Sequence, residues 1–208
     1  MSLWQTRGDS VSHITHIDNL ASILGQGCLW SDAKRIELGL VNQNIGYNHI
    51  KQRRLVRPVK VAAGGTIGQY VPFNFCPRSV MLYVIHCGHD DFGGGQDKVL
   101  HLISDTETVR LGNQHCFFTD IHADLDYAEQ IDDFTRINEL DIKRIINERY
   151  WQDFKEEKQA EFLAFESVQW AAIRQIGVKT QDVANEVNKL LQTVQHKPEV
   201  VVRPQWYY

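Results

Sequence analysis

The segment from Lys158 to Trp170, KQAEFLAFESVQW, alternates: Ala160, Phe162 and Ala164 share one face, while Glu161, Leu163 and Phe165 share the other. A period of two predicts a strand, and it sets a carboxylate in mid-strand on the side of two apolar residues. The same patterning predicts strands over VSHITH, YVPFNF, SVMLYVIHC, KVLHLISD, HCFFTD and the closing EVVVRPQWYY. Helical spacing and end signals predict DNLASILGQ, N-capped by Asp18 and stopped at Gly25 or Gly27. They also predict SDAKRIELG, capped by Ser31, and a helix from Thr180 to Gln195. The interval from Ala123 to Glu148 reads as mostly helical and polar. From Val41 to Tyr70 no period is sustained, and an irregular stretch of that length is usually functional or disordered. Strands and helices do not alternate in βαβ order, so the expected class is α+β on a largely antiparallel sheet. No linker rich in Gly, Ser or Pro divides the chain, and residues 1–208 are expected to form one domain.

A chain of 208 residues can bury a core without disulfides or metal. Its formal net charge of -4 gives no global nucleic-acid signature, so any polyanion would have to be gripped by a local patch. Cys28, Cys76, Cys87 and Cys116 form no CxxC pair and stand in apolar contexts, as reduced core thiols of a cytoplasmic protein do. No apolar run approaches the roughly 20 residues of a membrane span, and MSLWQTRGDS lacks the apolar stretch of a signal peptide. A soluble protein without a membrane partner is expected.

The candidates for chemistry each have a plainer alternative. HCGHDD offers donors for zinc through His86, His89 and Asp90, but it ends an apolar strand beside FGGGQD, where an exposed polar turn is the commoner outcome. FGGGQDK lacks the Lys-Ser/Thr pair of a phosphate loop. The run KQRRLVRPVK gathers Lys51, Arg53, Arg54, Arg57 and Lys60; alone it reads as a solvated face. Followed by the aromatic AAGGTIGQYVPFNF, it has the make-up of a single-strand or dinucleotide site. His13 and His16 could be structural, Arg78 a turn residue, and PQWYY a plug that ties down the chain end. Glu161 could pair with Lys158, yet its neighbours are apolar, and a buried carboxylate must be paired or used.

Taken together and in register, SHITHIDNLASIL, GYNHIKQRRL, GGTIGQYVPFNFCPRSVMLYVIH, KQAEFLAF and VVVRPQWYY resemble the DarT family, the DNA ADP-ribosyltransferase toxins of DarT/DarG toxin and antitoxin systems. The resemblance runs from about residue 12 to the C-terminus. One departure is the residue before Lys158, where Gly often stands in the family.

The resemblance implies an ADP-ribosyltransferase fold, a split mixed sheet whose central cleft holds NAD as co-substrate, with no metal. Glu161 then corresponds to the catalytic glutamate, Arg54 to the arginine near the NAD phosphates and reacting ribose, and His122 to a histidine near the acceptor. His13, Ile14 and Thr15 would hold NAD, with Asn19 and Leu20 starting the helix behind. Arg53 would meet NAD beside Arg54, and Tyr70 and Phe73 would line the nicotinamide pocket. Lys51, Arg57, Arg78 and His122 would meet the DNA. Residues 32–60 would close over NAD and residues 117–160 would present the acceptor. That acceptor would be a thymidine base in single-stranded DNA, read in a sequence-specific way, and the macrodomain antitoxin DarG would reverse the modification. An RNA 2′-phosphotransferase, a protein ADP-ribosyltransferase, a non-enzymatic single-strand-binding module and a metal hydrolase remain as alternatives.

Overall fold

A computed structural model describes residues 10–208. In chain order its strands are β1 (Ser10–His16), β2 (Cys28–Trp30), β3 (Tyr70–Asn74), β4 (Val99–Asp105), β5 (Cys116–Thr119), β6 (Gln130–Ile131), β7 (Glu161–Phe165), β8 (Ser167–Gln169), β9 (Gln175–Val178) and β10 (Glu199–Val202). Eight of them form one sheet in the order β10-β9-β4-β1-β3-β7-β5-β6, and β2 pairs with β8 separately. Within that sheet β9 and β10 run parallel and the other neighbours antiparallel. The α+β class with a split, mixed sheet is therefore the observed one.

The split has a specific place. β1 pairs with β4 along its whole length, from Ser10 opposite Asp105 to His16 opposite Val99. β3 pairs with β7 from Tyr70 opposite Phe165 to Asn74 opposite Glu161. Between β1 and β3 the register holds at one pair, Ser12 with Asn74. Past Ser12 the two half-sheets diverge, and the seam widens into a cleft.

The helices are α1 (Leu20–Gln26), α2 (Asp32–Glu37), α3 (Asn48–Arg54), α4 (Val80–Cys87), α5 (Thr106–Gly112), α6 (Ile142–Asn147) and α7 (Gln181–Leu191). Ser31 caps α2 by accepting the Lys34 N–H at 3.2 Å, and Gly27 ends α1 with a left-handed φ of 70°. Asp18 does not cap α1. It lies inside a 3-10 turn, Ile17–Asn19, whose cap is His16, and α1 starts one residue later. SVMLYVIHC is a helix: Ser79 caps it, and Val80, Leu82 and Ile85 turn inward. Its run is apolar on nearly every side, and such a run carries no period that separates a buried helix from a strand. The interval from Ala123 to Glu148 holds β6, a 3-10 turn at Phe134–Glu139 and α6, so it is less helical than its polarity suggests. The aperiodic stretch from Val41 to Tyr70 contains α3.

The alternation of β7 is real. Ala160, Phe162 and Ala164 enter the main core, while Leu163 packs with Tyr70, Phe117 and Phe165 on the other face. At Glu166 the chain takes a left-handed φ of 57° and leaves the large sheet for β8. The Glu166 amide donates to Gln69 O at 2.7 Å, and its carbonyl accepts from the Ser31 amide at 2.8 Å. At the chain end β10 stops at Val202, and Trp206 and Tyr207 are buried beyond it. A side chain at Gly177 would collide with the Trp206 ring. Cys28, Cys76 and Cys116 are buried thiols, whereas Cys87, expected in the core, is exposed at the end of α4.

Candidate active site

The cleft at the seam has a volume of about 390 Å³. β1 supplies His13, Ile14 and Thr15; the turn after it supplies Asn19; α2 begins with Asp32; α3 supplies Lys51 and Arg54; and β7 supplies Glu161. His122, Lys155 and Gln159 close the opposite side.

Glu161, first residue of β7, is 5% exposed. Arg54 donates to it through both terminal nitrogens, Nη1 to Oε1 at 3.0 Å and Nη2 to Oε2 at 2.9 Å. The Ala123 amide donates to Oε1 at 3.1 Å, and His122 Nε2 stands 3.6 Å from the same oxygen. Burial alone would raise this carboxyl, but the Arg54 guanidinium outweighs it, and His122 and the Ala123 amide add to the effect; the group is held below the usual carboxylate range. It is ionised at neutral pH. Burial pulls the His122 imidazole below its ordinary range against the attraction of Glu161, so His122 is neutral there. Lys158 is not the partner of Glu161. Its buried ammonium turns away and donates to Ile145 O and Glu148 O, capping the end of α6.

His13 Nδ1 lies 2.8 Å from Pro72 O; a carbonyl only accepts, so the proton is on Nδ1 and Nε2 of the neutral ring is left as an acceptor. Burial lowers the His13 pKa despite that bond, which keeps the ring neutral. Asn19 donates to Thr15 Oγ1 and to Gln43 O, each at 3.0 Å, and accepts the Gln43 amide at 2.7 Å. That side chain ties β1 to the segment before α3.

The basic run is largely neutralised from within. Lys51 donates to Asp32 at 3.1 Å, Arg53 Nε to Asp124 at 2.7 Å, Arg54 to Glu161, and Arg57 pairs with Asp126. The choice between the adjacent arginines is plain in the geometry: Arg54 faces the cleft, and Arg53, half exposed, clamps α3 to the loop that carries His122. Asp32, a residue the sequence reading did not single out, holds Lys51 and Arg35 together.

Several expected residues stand outside the cleft. Tyr70 and Phe73 do not line it. Tyr70 packs between Phe117 and Phe165 and donates to Gly64 O, and Phe73 lies beneath the His13 ring; β3 turns both into the cores. Leu20 is core, fully buried at the start of α1. Arg57 lies beyond the end of α3, and Arg78 stacks on Tyr208 at 4.1 Å, away from Glu161. His86 bonds Gln96 and His89 bonds Ile45 O, and among the described residues no cluster of three His, Cys, Asp or Glu could hold a metal ion. The Ala123 amide and Asp124 left no mark in the sequence, because a main-chain donor and a loop carboxylate have no pattern there.

A family model described as "ssDNA thymidine ADP-ribosyltransferase, DarT" matches residues 12–208. The DNA ADP-ribosyl transferase of Thermus sp. (strain 2.9) is 39% identical over 203 residues, covering 95% of each chain. That of Thermus aquaticus is 37% identical over 95% of this chain and 88% of its own. The solved structure of Thermus sp. 2.9 DarT in complex with ADP-ribosylated ssDNA superposes with a TM-score of 0.90 at 38% identity, covering 97% of both chains. The same protein in complex with NAD+ gives 0.85 at 35% identity, covering 97% of this chain and 98% of the other. With the cleft and all but the first two residues of the sheet inside the matched span, the chain belongs to the DarT family of single-stranded-DNA thymidine ADP-ribosyltransferases.

Proposed function

We propose that Glu161 is the residue on which transfer turns in this NAD-dependent DNA ADP-ribosyltransferase. The observation that carries the reading is its placement: a buried, ionised carboxylate on β7, fixed by Arg54 and the Ala123 amide, beside a cleft between two half-sheets. When the bond from ribose to nicotinamide breaks, positive charge develops on the ribose carbon. A carboxylate already aimed there stabilises that charge without reorganising. Oε2 accepts one hydrogen bond, from Arg54, and keeps capacity for a ribose hydroxyl. Carboxylate and neutral imidazole lie side by side, so either can take the proton released by the attacking base nitrogen.

The donor set suits NAD. Neutral His13 and the Asn19 amide offer uncharged polar groups to a ribose, and Lys51 and Arg54 bring cationic charge for the diphosphate. Acting as acceptor wall, His122 and the segment up to Gln159 would face a thymidine of single-stranded DNA in its sequence context. The complexes of the Thermus relative with NAD+ and with ADP-ribosylated ssDNA support both substrates. Reversal by a DarG macrodomain and action in the cytoplasm belong to the same proposal and rest on family membership. No helix among the described residues is long and apolar enough to cross a membrane.

Incubation with NAD and a panel of short oligonucleotides, read by mass spectrometry, tests the proposal. One added ADP-ribose on thymidine-containing single strands, lost in Glu161→Gln, is the expected result. An undiminished adduct in Glu161→Gln would remove the carboxylate from the mechanism, and adducts confined to RNA or protein would overturn the acceptor.

A further inference from the structure

Glu161 is held at its amide and at its carboxylate by β5 and the loop that follows it. The pairing of β5 with β7 runs from Cys116 opposite Ala164 to Phe118 opposite Phe162. One step further along, where Thr119 comes level with Glu161, the Glu161 amide donates to the Thr119 side chain, Oγ1, at 3.2 Å. The hydroxyl gives its own proton to Ile121 O at 2.6 Å. Thr119 is fully buried, and a hydroxyl has one proton to give and lone pairs to receive. Both capacities are in use inside the protein.

Two residues beyond Ile121 the chain comes back to the same glutamate. The Ala123 amide donates to Oε1 at 3.1 Å, and His122 Nε2 stands 3.6 Å from that oxygen. Glu161, Thr119, Ile121 and Ala123 thus close a ring of three hydrogen bonds, two of which pass through one hydroxyl. All four residues are buried, so an amide or carbonyl that lost its partner here would find no water to replace it. The ring ties the main chain of β7 to the loop that presents His122, and it does so without Arg54. Valine in place of Thr119 would differ by the hydroxyl and cut two of the three bonds. Arg53 would still pin the loop at Asp124, so the change should loosen His122 and the Ala123 amide without releasing the loop.

We infer that Thr119 is a positioning residue for transfer: its hydroxyl sets the loop that delivers His122 and the Ala123 amide to Oε1 of Glu161. It lies behind the cleft and acts only through those groups. The inference rests on the reading of Glu161 as the residue on which transfer turns, and it adds the part of the fold that aims it. His13, Lys51 and Arg54 are fixed by other bonds, so the hydroxyl bears on the rate of transfer and not on the hold on NAD.

The test compares wild type, Thr119→Val and Thr119→Ser in transfer to a thymidine-containing single strand. kcat and the KM for NAD are measured separately, at a temperature where melting curves show each protein folded. Thr119→Val should lower kcat about 10–100-fold, the scale of a misplaced reacting group, and leave the KM for NAD within about twofold. Thr119→Ser, which keeps the hydroxyl, should come within about threefold of the wild-type rate. In a Glu161→Gln background the valine change should cost less than about threefold, because the hydroxyl works through the carboxylate. Wild-type kcat in folded Thr119→Val overturns the inference, as does a serine variant as slow as the valine one. A raised KM for NAD with kcat unchanged also overturns it, by moving Thr119 to nucleotide binding. If Thr119→Val does not fold, Thr119→Ala takes its place beside Thr119→Ser, and equal kcat for those two overturns the inference. Full transfer by Glu161→Gln would bring down the carboxylate reading and this one with it. An inactive Glu161→Gln beside a fully active Thr119→Val would remove the positioning role alone.

Discussion

Two groups of arginines in this molecule, one in a contiguous run and one brought together by the fold, differ in what their charges meet. On α3 and just beyond it, Lys51, Arg53, Arg54 and Arg57 each face a carboxylate of the protein. Around a second hollow, which Glu148 also lines, Arg78 instead stacks on the Tyr208 ring and Arg149 stands exposed. A basic run is therefore not in itself a grip for a polyanion. Where the fold supplies its own anions, the cations are fixed in place by them before any ligand arrives.

The largest effect that would sharpen this contrast is at the centre of the paired region. Glu161→Gln keeps an oxygen for Arg54 but loses the charge, and transfer should fall about 10²–10³-fold, the scale of losing one preorganised electrostatic group. Turnover within tenfold of wild type in a mass-spectrometric rate assay would break the reading. Next is Arg53→Ala, which leaves the buried Asp124 carboxylate unpaired, with its Oδ1 already lacking a partner. Loss of a buried pair costs about 3–5 kcal/mol, and with Arg53 half exposed we expect about 2–3 kcal/mol. The melting temperature should drop by about 5–10 °C, and no drop would mean that the clamp is ornamental.

Acid should separate the regions further. Asp32 and Glu161 have carboxyls held below the usual range in the fold: burial opposes this in both, and Lys51 for Asp32 and Arg54 for Glu161 prevail. A lowered folded pKa stabilises above the unfolded value near 4 and is lost as pH falls through the folded one. Thermal stability should thus decline below about pH 4, and Asp32→Asn should make that decline shallower; identical slopes for both proteins would contradict the assignment. The smallest effects are at the exposed ends. Arg57→Ala, whose partner Asp126 is 80% exposed, should cost under about 1 kcal/mol, and Arg149→Ala should stay within about 0.5 kcal/mol of wild type in denaturant titrations.

Much of the sheet was legible because its strands alternate. β7 could be read from Ala160 to Phe165, and the charge inside that alternation marked the site. α3 was missed because its inward face carries Ile50, Lys51 and Arg54, so no apolar stripe betrays it. α4 was mistaken for a strand because nearly every residue in it is apolar. Arg54 and Glu161 could be matched to a family pattern, but their bidentate pairing, the Ala123 amide and the Asp124 clamp join residues far apart in the chain. Tyr70 and Phe73 were placed in the pocket by analogy, and the pleat of β3 turns them into the cores. Rings alone do not disclose which side of a strand faces a cleft.

The left-handed turn at Glu166 has a consequence for anyone who would redesign this protein. It splices the strand that carries Glu161 onto β8, and β8 is laced to β2, which leads through Ser31 to Asp32 on the far wall of the cleft. The proposed nucleotide side of the site and Glu161 are in effect one casting, and a graft that shifts one will misalign the other. The proposed acceptor side hangs from the loop around His122 and from the segment before β7, and that loop is joined to the casting through Arg53, Arg57 and the Ala123 amide on Glu161. Swapping those two pieces is the route by which a new acceptor could be installed without retooling the donor half.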